Sequence, residues 1–161
     1  MYLAIDPALC TGCRICEVFC SFHHEGRIQP ARARLSVVRG QEAGHFVPFT
    51  CQQCRRALCA EACPEGAIAR NPATQALEVD PERCLGCKMC LLACPFGGIA
   101  WDGERGLPLK CDLCRGQPEC VRLCPTGALR YVQEERAAVA RRRTVLGRLP
   151  ELLDIHAPGG T

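Results

Sequence analysis

Large side chains are scarce in this chain of 161 residues: five Phe, two Tyr and one Trp are the whole aromatic complement. The 48% of residues counted as hydrophobic includes sixteen cysteines, so an ordinary apolar core is thin. A small chain with so few large apolar residues needs a covalent or metal crosslink to hold it. Also missing is any apolar run of about 18 residues or more, and no direct membrane insertion is expected. The segment Met1-Tyr2-Leu3-Ala4-Ile5-Asp6-Pro7 has no basic stretch, apolar run and small-residue cleavage site of a secretory signal. The expectation is therefore a cytoplasmic protein, with export on a signal-bearing partner left open. In that compartment thiols stay reduced, and clustered cysteines point to metal rather than disulfides.

Cysteine is what the chain has in excess, at about one residue in ten. The sixteen fall into four groups of four on one frame. Cys10, Cys13, Cys16 and Cys20 are spaced C-x2-C-x2-C-x3-C, as are Cys84, Cys87, Cys90 and Cys94, which are followed by Pro95. Cys51, Cys54, Cys59 and Cys63 widen the middle gap to four residues before Pro64, and Cys111, Cys114, Cys120 and Cys124 widen it to five before Pro125. The tight run followed by proline is that of bacterial ferredoxins, in which three cysteines hold one [4Fe-4S] cube and the fourth reaches to a second. Proline fits beside the remote cysteine, where a first helical position has no use for its missing N–H. Each proline leads into a similar turn: Glu65-Gly66-Ala67-Ile68, Phe96-Gly97-Gly98-Ile99 and Thr126-Gly127-Ala128-Leu129. Structural zinc pairs two C-x2-C knuckles and has no use for a further cysteine three residues on, and a disulfide framework gives no reason for the repeat. The expected cofactors are four [4Fe-4S] clusters.

Short β-type runs at Tyr2 to Ile5, Leu35 to Val38, His45 to Phe49, Ala67 to Ala69, Leu77 to Val79, Ile99 to Trp101, Leu107 to Leu109 and Leu129 to Val132 frame these groups. Residues 46–101 read as strand, cysteine group, hairpin, cysteine group, strand, which is a complete two-cluster ferredoxin. The predicted fold is α+β: an inner module over 46–101 nested in an outer one made of 1–45 and 102–132, with a helical arm and tail over 133–161. Linker lengths alone leave open a tandem pairing of first with second and third with fourth group. The intact inner module favours nesting. Cluster 1 is then held by Cys10, Cys13, Cys16 and Cys124, and cluster 2 by Cys51, Cys54, Cys59 and Cys94. Cluster 3 takes Cys84, Cys87, Cys90 and Cys63, and cluster 4 takes Cys111, Cys114, Cys120 and Cys20.

Over residues 1 to about 132, and above all in Lys110-Cys111-Asp112-Leu113-Cys114 and Cys120-Val121-Arg122-Leu123-Cys124-Pro125, the chain resembles the four-cluster iron-sulfur subunits of molybdenum and tungsten oxidoreductases. That family includes subunits of formate dehydrogenase and dimethyl sulfoxide reductase, and of some hydrogenases and carbon monoxide dehydrogenases. The chain is shorter than the membrane-anchored members, and among the compact ones it is similar to the small polyferredoxin subunit of bacterial tungsten aldehyde oxidoreductases. The resemblance implies the same nested pairing.

Function follows from ligand completeness. Each cube has four cysteines, so no iron is left open for a substrate, and the chain is expected to carry electrons rather than catalyse a reaction. Four cubes in a globule whose radius of gyration is roughly 15 Å must lie close together. The implied partner is a catalytic oxidoreductase subunit, with further copies of the chain or a flavin subunit as additional ones; the alternative is a free-standing polyferredoxin. No nucleic-acid role is expected: four oxidised cubes and sixteen thiolates turn the formal +3 into about −5, and no aromatic and basic interleaving is present. Lys88 and Lys110 lie in or beside cluster loops, where a fixed cation favours the reduced cube, although a solvated lysine is the plain alternative. His23 and His24 follow the one group without proline and read as hydrogen-bonded structural residues ahead of ligands. Trp101 reads as packing.

Overall fold

The computed structural model describes residues 2–40 and 44–132; the arm expected over 133–161 lies outside them. Among the described residues eight short strands form, each with ends within one residue of the runs read above. They are β1 (Tyr2–Ile5), β2 (Leu35–Arg39), β3 (Phe46–Thr50), β4 (Ile68–Arg70), β5 (Leu77–Val79), β6 (Ile99–Asp102), β7 (Leu107–Lys110) and β8 (Leu129–Val132). Four α-helices among the same residues complete the α+β architecture: α1 (Ile15–Glu25), α2 (Leu58–Glu61), α3 (Met89–Leu92) and α4 (Glu119–Arg122).

The proline rule explains the helix lengths. α2, α3 and α4 are single turns that each carry the third cysteine of a group. Each ends shortly before a Cys-Pro pair, since proline disfavours helical backbone in the residue before it and donates no N–H. The first group has no proline, and α1 runs 11 residues through Cys16 and Cys20 to a left-handed cap at Gly26, whose N–H donates to Phe22 O. Its buried face is Cys16, Glu17, Cys20 and Ser21. The Glu17 carboxylate accepts from Val37 N at 2.6 Å and fixes that face to β2.

The strands pair in two-stranded ladders. β1 pairs with β8, and β4 with β5. β3, however, pairs antiparallel with β2, from Leu35 opposite Thr50 to Arg39 opposite Phe46, and β6 pairs antiparallel with β7. The segment 46–101 is thus not closed by a ladder between its own first and last strands. Short connections make these local hairpins cheaper in loop-closure entropy than joining β3 to β6. The described residues up to Tyr131 form one compact unit.

Two cores hold it, and cysteine makes up much of both. One contains Leu3, Leu35, Val37, Leu113 and Leu129 with Cys16, Cys20, Cys51, Cys111 and Cys120; the other contains Ile68, Leu77 and Ile99 with Cys59 and Cys90. A buried ion network joins the end of α1 to β6. Arg32 reaches Glu25 at 3.1 Å, Asp102 at 2.9 Å and Glu104 at 2.6 Å, and Arg105 reaches Glu25 at 2.8 Å. Burial pushes the Glu25 carboxyl up, but hydrogen bonds from Arg105 and Arg32 outweigh it and hold the carboxyl below its ordinary value.

Candidate metal centre

All sixteen cysteines are free thiols, and the loops that carry them are shaped by backbone rather than by side-chain packing. In Cys10-Thr11-Gly12-Cys13-Arg14, Gly12 and Arg14 have φ of 72° and 58°; in Cys84-Leu85-Gly86-Cys87-Lys88, Gly86 and Lys88 have 68° and 63°. The matching left-handed pairs turn the chain so that the three cysteines of each loop line one cavity. Glycine is needed there twice over: a Cβ on Gly12 would lie 2.6 Å from the Phe46 ring, and one on Gly86 would lie 2.9 Å from Gly106 O.

The first and third groups each line a cavity with a cysteine from elsewhere. Cys10, Cys13 and Cys16 line one with Cys124. Cys84, Cys87 and Cys90 line the other with Cys63, alongside Ile68, Val79 and Trp101. For the other two groups the electrostatics report proximity. Burial pushes the Cys20 thiol up to about 12, and Cys111 and Cys114 push the same way. Cys120 is pushed up by burial and then by Cys111, Cys20 and Cys114. Burial raises Cys59 against the opposing pull of Lys110, with Cys51 and Cys94 adding to the rise.

The groups are also coupled electrostatically to one another: Cys120 feels Cys16, Cys111 feels Cys51, and Cys90 feels Cys59.

Backbone amides already point at sulfur. Arg34 N donates to Cys20 Sγ at 3.2 Å, Ala67 N to Cys63 Sγ at 3.3 Å and Gln53 N to Cys51 Sγ at 3.4 Å. At Cys124, burial pushes the thiol up, but amide hydrogen bonds, that of Leu129 foremost, and the Thr126 hydroxyl prevail and hold it below its ordinary value. The donor chemistry fits iron-sulfur cubes: convergent thiols, amides aimed at sulfur, and apolar walls. Burial foremost raises the thiols of Cys16, Cys20, Cys59, Cys90, Cys111, Cys114 and Cys120, which favours the protonated form until a metal would take the proton's place.

The remaining sequence candidates separate clearly. His24 Nε2 lies 3.5 Å from Asp112 Oδ1 and 3.9 Å from Cys114 Sγ, with the His23 ring edge-on at 4.8 Å between centroids. Burial, then the Arg34 charge, lower His24 to about 4, so it is neutral at pH 7. Lys88 lies with Nζ 4.7 Å from the centre of the Trp101 ring, beside the third group's cavity. Lys110 is buried, and its Nζ donates to Cys51 Sγ at 2.9 Å. Sequence reading missed Gln53, whose buried side chain donates to Cys111 O at 2.7 Å and accepts from Leu77 N at 2.8 Å. Its partners lie 24 and 58 positions away, and nothing local marks it.

A 4Fe-4S dicluster domain family matches residues 43–134, and a 4Fe-4S binding domain matches residues 7–23. The polyferredoxin-like subunit of aliphatic sulfonate oxidoreductase from Pyrococcus furiosus is 41% identical over 124 residues, covering 77% of this chain and 71% of that subunit. The electron transport protein HydN of Escherichia coli is 34% identical over 174 residues, covering 90% of this chain and 97% of HydN. The beta subunit of NADH-dependent phenylglyoxylate dehydrogenase from Aromatoleum evansii is 35% identical over 132 residues, covering 81% of this chain but only 30% of that subunit.

Proposed function

The chain belongs to the 4Fe-4S dicluster ferredoxin family, and from that premise we propose that it is the electron-transfer subunit of an oxidoreductase complex, carrying electrons through four cubes to or from a separate catalytic chain. The observation that carries this reading is the electrostatic coupling of each thiol group to the next, Cys16 with Cys120, Cys111 with Cys51 and Cys59 with Cys90. Bound in these sets, each cube supplies a one-electron couple tuned by its surroundings. The protein's part is to hold the cubes by Cys10, Cys13, Cys16 and Cys124; by Cys111, Cys114, Cys120 and Cys20; by Cys51, Cys54, Cys59 and Cys94; and by Cys84, Cys87, Cys90 and Cys63. Cys13 and Cys87 are exposed, and they belong to the two sets at the ends of this series of couplings. Cys51 and Cys111 are buried in its middle. Apolar residues such as Leu35, Leu77 and Leu113 keep water from the inner sets.

The specific complex we favour has a tungsten or molybdenum pterin enzyme as catalytic partner, of the aldehyde oxidoreductase or formate dehydrogenase kind. It is supported by the resemblance of the cysteine frame and by the polyferredoxin-like relative that is a subunit of an oxidoreductase. The second reading, a free-standing carrier, draws on HydN, which matches almost end to end and is described only as an electron transport protein. Native purification under nitrogen separates them. The chain is expected to elute with a larger protein containing tungsten or molybdenum, as measured by gel filtration and metal analysis. Elution alone, with all its iron and competent to reduce several acceptors, identifies the free carrier.

A further inference from the structure

At the junction of the two middle sets lies a cation that the ligand frame does not require. Lys110 ends β7, next to Cys111, and is only 4% exposed. Its Nζ does not turn toward Cys111. It crosses to Cys51, donating to Sγ at 2.9 Å, and it donates also to Leu77 O at 2.9 Å. Among the described residues no carboxylate forms an ion pair with it. A buried ammonium needs an opposite charge nearby, and here the thiolate of Cys51 and the cube it holds are that charge.

Cations near the other sets are engaged differently. Arg14, beside the first set, is more than half exposed and pairs with Glu17. Arg34, beside the set of Cys20, has Nη1 3.1 Å from Asp112 Oδ2. Lys88, beside the third set, lies over Trp101. Lys110 is also prevented from swinging away. Gln53 closes over the junction by bonding both Cys111 O and Leu77 N, and Leu77 is the residue that anchors Nζ.

We infer that Lys110 is a positioning residue whose fixed charge raises the reduction potential of the cube held by Cys51, Cys54, Cys59 and Cys94; this rests on the four-cube reading above. Reduction adds one electron to that cube, taken from a one-electron donor such as dithionite, and no proton is needed to balance the charge. The reduced cube is one unit more negative, so an ammonium in contact with its ligand sulfur stabilises it over the oxidised form, and a site shielded from water strengthens the effect. The residue lies where electrons cross between the sets of Cys111 and Cys51, so its charge favours holding an electron on the Cys51 side.

The test is anaerobic redox titration of the whole chain followed by electron paramagnetic resonance, with iron counted in every sample. In Lys110→Met one of four midpoints is expected to fall by a factor of about ten in the reduction equilibrium, or about 59 mV for a one-electron couple. Lys110→Arg, which keeps the charge, is expected to restore most of it. The signal that moves must be the one that Cys51→Ser alters. Four unmoved midpoints in Lys110→Met overturn the inference, as does an equal fall in Lys110→Arg. Loss of a cube from Lys110→Met also overturns it, because Lys110 is then a clamp on the loop. Fewer than four cubes in the unaltered chain is a separate result that fails the four-cube reading itself.

Discussion

In a Cys94→Ser variant the perturbed cube is expected to be the one assigned to Cys51, Cys54 and Cys59, while the cube of Cys84, Cys87 and Cys90 is expected to keep its spectrum. Position along the chain suggests the opposite, since Cys94 lies four residues after Cys90. Geometry supports the crossed outcome. The thiol that completes the cavity of Cys84, Cys87 and Cys90 is Cys63, whereas Cys94 is among the charges felt by Cys59. Iron content is expected to drop by about one quarter if serine fails as a ligand, or to hold with one altered resonance if it binds. Resonance Raman and paramagnetic resonance of the variant make the assignment. Loss or alteration of the cube held by Cys84, Cys87 and Cys90 overturns the crossed pairing.

An alanine at position 98 is expected to empty the same set without touching a ligand. Gly98 precedes β6, and a Cβ there would lie 2.9 Å from Cys51 Cα and 3.1 Å from both Cys51 N and Thr50 O. These are backbone atoms that cannot turn aside as a side chain can. Either the start of β6 or the Cys51 loop must move, at a cost of about 1–3 kcal/mol for overpacking. Any shift of the loop displaces the Cys51 thiol that accepts from Lys110. Iron retained after anaerobic desalting is expected to fall by about one cube in Gly98→Ala. Alanine at Gly97, where a Cβ meets nothing within 4 Å, isolates the strain of its φ of 61° from contact. Equal iron in Gly98→Ala and the unaltered chain contradicts the account of this junction.

The ligand frame was legible because cluster loops are local. Cysteine spacing and the proline that follows the last cysteine of three groups all lie within a short stretch of chain. Strand positions were legible for the same reason. Partners of those strands were not: β3 and β6 carry the pattern that would close an inner ferredoxin, and whether each pairs across the module or with its neighbouring hairpin depends on loop lengths and packing. The two lysines show the same limit. Lys88 and Lys110 occupy similar places beside cysteines, yet one lies on Trp101 and the other is buried against Cys51. Gln53 could not be found at all from sequence, since its role exists only once the loops of Cys51 and Cys111 and the strand at Leu77 meet.

Metal content tests the central claim most directly. The chain, reconstituted without oxygen and freed of excess reagents, is expected to hold about sixteen iron and sixteen acid-labile sulfide, four of each for every complete set of cysteines. Iron and sulfide near half those values, or zinc in stoichiometric amount without sulfide, would contradict four cubes and with them the series of coupled carriers.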